Sequence, residues 1–232
     1  KDTAKPGSQY VATSGSIVIH AGDTTGTIQV PILGNTTYET NKTFSVKLTK
    51  ATNAGLSKTA AQAVNTIRND DPLPQISITD VSAAEGHSGS TKFNFTVTLS
   101  NPSYQSVQVK YKTDPATATA GTDYVTKSLA TLTFAPGVTT QTISVVVKGD
   151  TAVETDEAFY VNLSGAKYAT ILDTQGVGTI LNDDLTAAQK AAATRNAAIR
   201  QLAGTADLAS YFRELDHDHQ DENSTDSALA PL

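Results

Sequence analysis

A single seven-residue pattern is written twice in this chain. Gly34-Asn35-Thr36-Thr37-Tyr38-Glu39-Thr40 recurs, from position 34 to position 149, as Gly149-Asp150-Thr151-Ala152-Val153-Glu154-Thr155. Flanking motifs repeat with it. Gly7-Ser8-Gln9-Tyr10 answers Gly121-Thr122-Asp123-Tyr124, and Ile67-Arg68-Asn69-Asp70-Asp71 answers Ile180-Leu181-Asn182-Asp183-Asp184. A fixed period implies tandem copies of one folding unit, so the domain plan precedes any assignment of secondary structure. The copies differ where it matters chemically. Asp123, Asp150 and Glu157 of the second stand against Gln9, Asn35 and Lys42 of the first.

Hydrophobic alternation at period two dominates both copies. Ser16–His20, Thr27–Val30, Phe44–Leu48, Phe93–Leu99, Val107–Tyr111, Thr131–Phe134 and Thr142–Val147 read as half-buried strands. Ala21-Gly22-Asp23, Asn101-Pro102-Ser103, Ala135-Pro136-Gly137 and Ser164-Gly165 supply turns between strands. The expected fold is all-β: tandem immunoglobulin-like antiparallel sandwiches, about seven strands per complete unit, with a C-terminal helical extension. Expected boundaries are 1–71 for a partial repeat, 72–75 for a proline-rich linker and 76–184 for a complete repeat. A helical segment (185–215) and an acidic polar tail (216–232) follow. Thr186 and Gln189 form a capping box ahead of the alanine-rich run Ala187 to Ala203. Leu208, Tyr211, Phe212 and Leu215 make an apolar stripe in a second short helix, to dock on the last sandwich or on a neighbouring subunit. The composition of the tail predicts disorder.

The first copy has only six residues before its Gly-Ser-Gln-Tyr motif, whereas about 45 strand-like residues precede the equivalent motif of the second. Residues 1–71 are therefore expected to lack their N-terminal strands, the chain being a piece of something longer or a processed product. A half-built sandwich exposes an apolar face and unpaired edges. The expected remedy is strand donation from another copy of the chain or a neighbouring repeat.

Net charge is −6 and the chain contains no Cys, Met or Trp. Thiolate metal sites and cysteine nucleophiles are excluded, and the acidic balance argues against a nucleic-acid partner. No apolar run reaches the roughly 20 residues of a membrane-spanning helix. Gly-x-Ser-x-Gly, His-Glu-x-x-His and phosphate-loop motifs are missing. His20 and His87 read as ordinary surface residues, and Asp216-His217-Asp218-His219 as part of a charged tail.

Four ordered motifs carry a family resemblance: Ala84-Glu85-Gly86, Ala120-Gly121-Thr122-Asp123-Tyr124, Gly149-Asp150-x-x-x-Glu154-x-Asp156-Glu157-x-Phe159, and Gly178-Thr179-Ile180-Leu181-Asn182-Asp183-Asp184. Together they resemble the Calx-beta domain, over 76–184 completely and over 4–71 as a truncated copy. The resemblance implies a sandwich that binds Ca²⁺ at one tip through Glu85, Asp123, Asp150, Glu154, Glu157, Asp183, Asp184 and the Ala152 carbonyl. Such a hard-oxygen set suits an ion that takes six to eight oxygens. Asn182 departs from a third consecutive Asp in the exchanger members, which weakens the site modestly. In the first copy Lys42 is expected to neutralise the remaining acids, leaving that copy calcium-free.

The functional expectation is a non-enzymatic, calcium-rigidified structural or adhesive module of an extracellular, cell-surface multi-repeat protein or filament. A regulatory Ca²⁺ sensor and the accessory end of a larger secreted enzyme are the alternatives.

Overall fold

A computed structural model of the chain describes residues 2–203. These residues divide into two compact units. The first comprises residues up to 150 together with 156–181, and the second comprises 151–155 together with 182–203.

In the first unit, residues 75–150 and 156–181 build a sandwich of two sheets. One sheet runs β10-β3-β5-β8, with β3 Gln75–Ile78, β5 Ser90–Leu99, β8 Thr140–Lys148 and the two-residue β10 Thr170–Ile171. The other runs β4-β11-β9-β6-β7, with β4 Val81–Ala84, β6 Val107–Pro115, β7 Ala130–Phe134, β9 Glu157–Lys167 and β11 Gln175–Leu181. The period-two pattern decides which side chains enter the core. Phe93, Phe95, Val97 and Leu99 of β5 are buried, as are Ile143, Val145 and Val147 of β8; Phe159, Val161 and Leu163 of β9 face them. Phe159 is the hub, 6.0 Å from the ring of Phe93, edge-on to Phe95 at 5.9 Å and stacked on Tyr124 at 4.5 Å. Each such buried side chain contributes about 1.5–3 kcal/mol of transfer free energy. Gly178 faces that ring so closely that a Cβ there would lie 2.5 Å from it.

Two pairings are parallel, against the wholly antiparallel expectation. The edge strand changes sheets at Thr79-Asp80, so β3 pairs antiparallel with β5 while β4 pairs parallel with β11. Asp80 anchors the crossing by accepting the Val177 N–H at 2.7 Å. The second parallel pair is β10 with β3. With β3, β4 and β10 separate, the repeat has nine short strands rather than seven.

The first repeat reproduces the second where its partners are present. β1 (Lys42–Lys47) pairs antiparallel with β2 (Gln62–Ile67), as β9 pairs with β11. Tyr10 stacks on Phe44 at 4.8 Å, as Tyr124 stacks on Phe159. Gln9 O accepts the Leu33 N–H at 2.9 Å, as Asp123 O accepts that of Lys148 at 2.8 Å.

The expectation of strands at Ser16–His20 and Thr27–Val30 needs correction, because both segments are without ladder pairing. Their counterparts in the second repeat are β7 and β8, which hydrogen-bond to β6 and β5. Ser16–His20 and Thr27–Val30 have the strand pattern but no ladder partner among the described residues. Ile17, Val18 and Ile19 are exposed as a result, Val18 at 73 %.

In the second unit, α1 spans Ala187–Ala203 and starts at the expected capping box. Gln189 N–H donates to Thr186 Oγ1 at 3.2 Å, and the Thr186 N–H donates to Gln189 Oε1 at 2.8 Å. Every described side chain along the helix is exposed. The apolar stripe of 208–215 and the tail of 216–232 lie outside the described residues. No helix among the described residues is long and apolar enough to cross a membrane.

Candidate metal centre

The acids of the first unit are gathered by backbone contacts. Glu85 follows β4 directly and the residue is 3 % exposed; its carbonyl accepts the Thr91 hydroxyl at 2.9 Å. Gly149, just after β8, packs on this turn. A Cβ at Gly149 would lie 1.9 Å from the Gly86 carbonyl oxygen and 2.8 Å from that of Glu85. Only a residue without a side chain permits this approach, which packs the backbone leading into Asp150 against the backbone that follows Glu85. Gly86 itself has φ +87°, a left-handed conformation natural to glycine.

Asp123 is tied to the same strand end. Its backbone carbonyl accepts the Lys148 N–H at 2.8 Å, and its carboxylate accepts the Thr119 N–H at 2.5 Å. The Lys148 ammonium donates to the Gly121 carbonyl and braces the turn from its other side. Glu157 opens β9 opposite Ile180 of β11, and Ile180 pairs in turn with Ala83 of β4. Glu85, Asp123, Asp150 and Glu157 thus stand on neighbouring segments at one end of the sandwich. All four offer hard oxygen donors, the chemistry that Ca²⁺ takes.

Tyr124 lies beneath this end. Its ring is fully buried, and its hydroxyl has no hydrogen-bond partner among the described residues. Burial, reinforced by the negative charges of Asp114 and Asp123, pushes its phenol above the ordinary value.

The second unit contains the other four expected ligands. Ala152 and Glu154 sit in the exposed loop 151–155, while Asp183 is half-buried and Asp184 is 4 % exposed. Asn182 joins the two segments: its Oδ1 accepts the Glu154 N–H at 3.3 Å and its amide donates to the Asp184 carbonyl at 3.1 Å. The first repeat has the same staple, Asn69 Oδ1 to the Glu39 N–H at 3.2 Å and the Asn69 amide to the Asp71 carbonyl at 2.9 Å. The sequence reading treats Asn182 as a weakened ligand; its side chain instead organises the backbone, and does so in both repeats. The repetition of Asn beside unequal acid sets is the signal that points to this role.

Lys148 and Gly149 also escape the sequence reading. The expected strand stops at Val147, short of Lys148, and Gly149 enters only as a letter of the repeated motif. Their roles depend on which loop lies opposite.

Comparison with known proteins agrees with the motifs. The family model of the Calx-beta domain matches residues 1–71 and 74–185. The sodium/calcium exchanger Calx of Drosophila melanogaster is 38% identical over 78 residues, 33% of this chain and 8% of that protein. The chain therefore spans less than a tenth of that relative's length. Among solved structures, CBD12 from CALX1.2 is 27% identical, with 47% of this chain and 46% of that one covered and a TM-score of 0.43. The apo-form Calx CBD1 domain is 25% identical, covering 49% of this chain and 100% of that one, with a TM-score of 0.42.

Proposed function

The chain belongs to the Calx-beta domain family, and from that membership we propose that its complete repeat is a non-enzymatic Ca²⁺-binding module. The observation that carries the reading is the packing of Gly149 on the Glu85–Gly86 backbone, which brings together the two segments that carry Glu85 and Asp150. Asp123 and Glu157 extend the oxygen set on adjoining segments. By family position, Ala152, Glu154, Asp183 and Asp184 are proposed as further ligands. Carboxylates gathered at one end of a sandwich repel one another, and a divalent cation removes the repulsion. Calcium therefore stabilises the folded repeat by mass action.

The wider role we propose is structural: a calcium-stiffened unit in a multi-repeat surface protein or filament, extracellular and adhesive. Its supports are the tandem repeat and the cysteine-free, Thr- and Ser-rich composition. The partner proposed for residues 1–71 is a strand from another copy or a neighbouring repeat. Exposed Val18 and Val64 support it, as does β2, whose one ladder partner among the described residues is β1. A regulatory sensor is the second reading, favoured by the match to a sodium/calcium exchanger.

Calorimetric titration of the full chain with Ca²⁺ tests both. Binding heat is expected for the parent and is expected to fall in Asp150→Asn and Glu157→Lys. Affinity separates the two roles: a stiffening site fills in the roughly millimolar range, a sensor near micromolar. Unchanged heats in both variants would overturn the assignment.

A further inference from the structure

The first repeat has an ammonium where the second has an acid. Lys42 occupies the position of Glu157, and its Nζ lies 3.4 Å from the Glu39 carboxylate. The pair is well covered, with side chains 19 % and 13 % exposed. The same ammonium stands 5.5 Å from the centroid of the Tyr104 ring. Tyr104 belongs to the second repeat, on the loop between β5 and β6. One cation therefore faces a carboxylate of its own repeat and an aromatic face of the next.

Backbone hydrogen bonds join the same two loops. The Tyr38 N–H donates to the Pro102 carbonyl at 2.9 Å, and the Tyr104 N–H donates to the Tyr38 carbonyl at 3.0 Å. Ser103, bridged to Tyr38, is buried; its carbonyl accepts the Gly137 N–H at 2.9 Å, and its hydroxyl accepts the Gln105 N–H at 3.1 Å. The Asn101 amide donates to the Pro72 carbonyl at 3.0 Å, fixing the proline-rich link. On the other side of the clasp, the Asn69 staple holds the Glu39 backbone. Glu39 has its counterpart in Glu154, so the acid in this joint is a retained member of the ligand pattern.

We propose that Lys42 is a built-in cation that clasps the first repeat to the loop 100–105 of the second, so that their joint is set without calcium. The proposal rests on the reading above only in assigning calcium to the second repeat. Carboxylate and ring are both satisfied by a charge that is covalently attached and does not dissociate. Chelation would then loosen the acid loops of the second repeat and leave the joint unchanged. The two repeats would form one lever whose calcium-sensitive part lies beyond the joint.

Amide hydrogen exchange of the full chain, in EDTA and in millimolar Ca²⁺, tests this. Exchange at Tyr38 and Tyr104 in the parent is expected to agree within about twofold between the two conditions. Lys42→Gln is expected to speed both amides about tenfold in either condition, because the charge facing acid and ring is gone. Phe95 and Val97, in the core of the second repeat, are expected to hold their rates and so show that the fold persists. Tyr104→Leu, which keeps the Lys42–Glu39 pair, is expected to loosen Tyr38 to a lesser degree. Tenfold faster exchange of Tyr38 and Tyr104 in the parent on chelation would overturn the proposal. So would unchanged rates in both variants. Absence of calcium heat, with the joint still dependent on Lys42, would remove the calcium reading and leave the clasp standing.

Discussion

Replacing Gly149 by alanine asks how much of the candidate centre depends on one missing side chain. The added Cβ would lie 1.9 Å from the Gly86 carbonyl oxygen and 2.8 Å from the Gly86 carbonyl carbon and the Glu85 oxygen. Ordinary carbon contacts begin near 3.5 Å, so the two backbones must separate by about 1.5 Å. The obstacle is backbone, anchored by the Thr91 hydroxyl and by the Gly149 N–H bond to the Gly89 carbonyl, and it has no rotamer to change. The cost belongs at the upper end of overpacking, about 3 kcal/mol. For a repeat of this size that lowers the melting temperature by roughly 10–15 °C. The equivalent glycine of the first repeat is an internal control. Gly34 has nothing within 4 Å of its would-be Cβ. Gly34→Ala is therefore expected to be neutral or stabilising by about 0.5 kcal/mol through the unfolded chain. Thermal unfolding of the full chain followed by circular dichroism, with and without Ca²⁺, reads both variants. In Gly149→Ala the calcium-induced rise in melting temperature should also shrink, since Asp150 is carried away from Glu85. Equal effects of the two substitutions, or a Gly149→Ala melt within a degree or two of the parent, would refute the reasoning.

Two other outcomes are expected. Hydrogen bonds from the Lys112 ammonium and the Asn162 amide, each 2.7 Å, hold the Asp114 carboxyl below its ordinary value of 3.8. A folded-state pKa that is depressed stabilises above the unfolded value and loses that stabilisation as pH falls through the folded one. Asp114→Asn should therefore melt below the parent at neutral pH and converge with it in acid; a gap that widens on acidification would contradict the sign. Strand donation to residues 1–71 predicts oligomers of the full chain in size-exclusion chromatography, with Val64→Lys on the exposed strand β2 shifting them toward monomer. A stable parent monomer whose residues 1–71 resist protease would count against donation.

Much of this architecture is legible in the sequence because its determinants are local. Alternation places Phe93, Phe95 and Val97 on one face of β5, since successive side chains of a strand point to opposite faces. Thr186 and Gln189 announce the start of α1 because a capping box satisfies the helix's first free N–H groups within four residues. The motifs that repeat between the two copies mark Asp123, Asp150 and Glu157 as chemically distinct from Gln9, Asn35 and Lys42.

Other features are decided by partners distant in the chain. Ser16–His20 has as good a strand pattern as Thr131–Phe134, yet only the latter region pairs, because β6 lies beside it. The sheet switch at Asp80 depends on the Val177 N–H, 97 residues away, and turns an expected antiparallel edge into a parallel one. Lys42 is visible in sequence as an ammonium among acids, but its approach to Tyr104 requires two loops of different repeats to be folded together. Gly34 and Gly149 are identical letters in one motif; the tertiary structure alone distinguishes them, because only Gly149 has another backbone packed where a side chain would be. Periodicity and capping are properties of a short segment and survive in its sequence, whereas close approach and strand pairing belong to pairs of segments and exist only once the chain has folded.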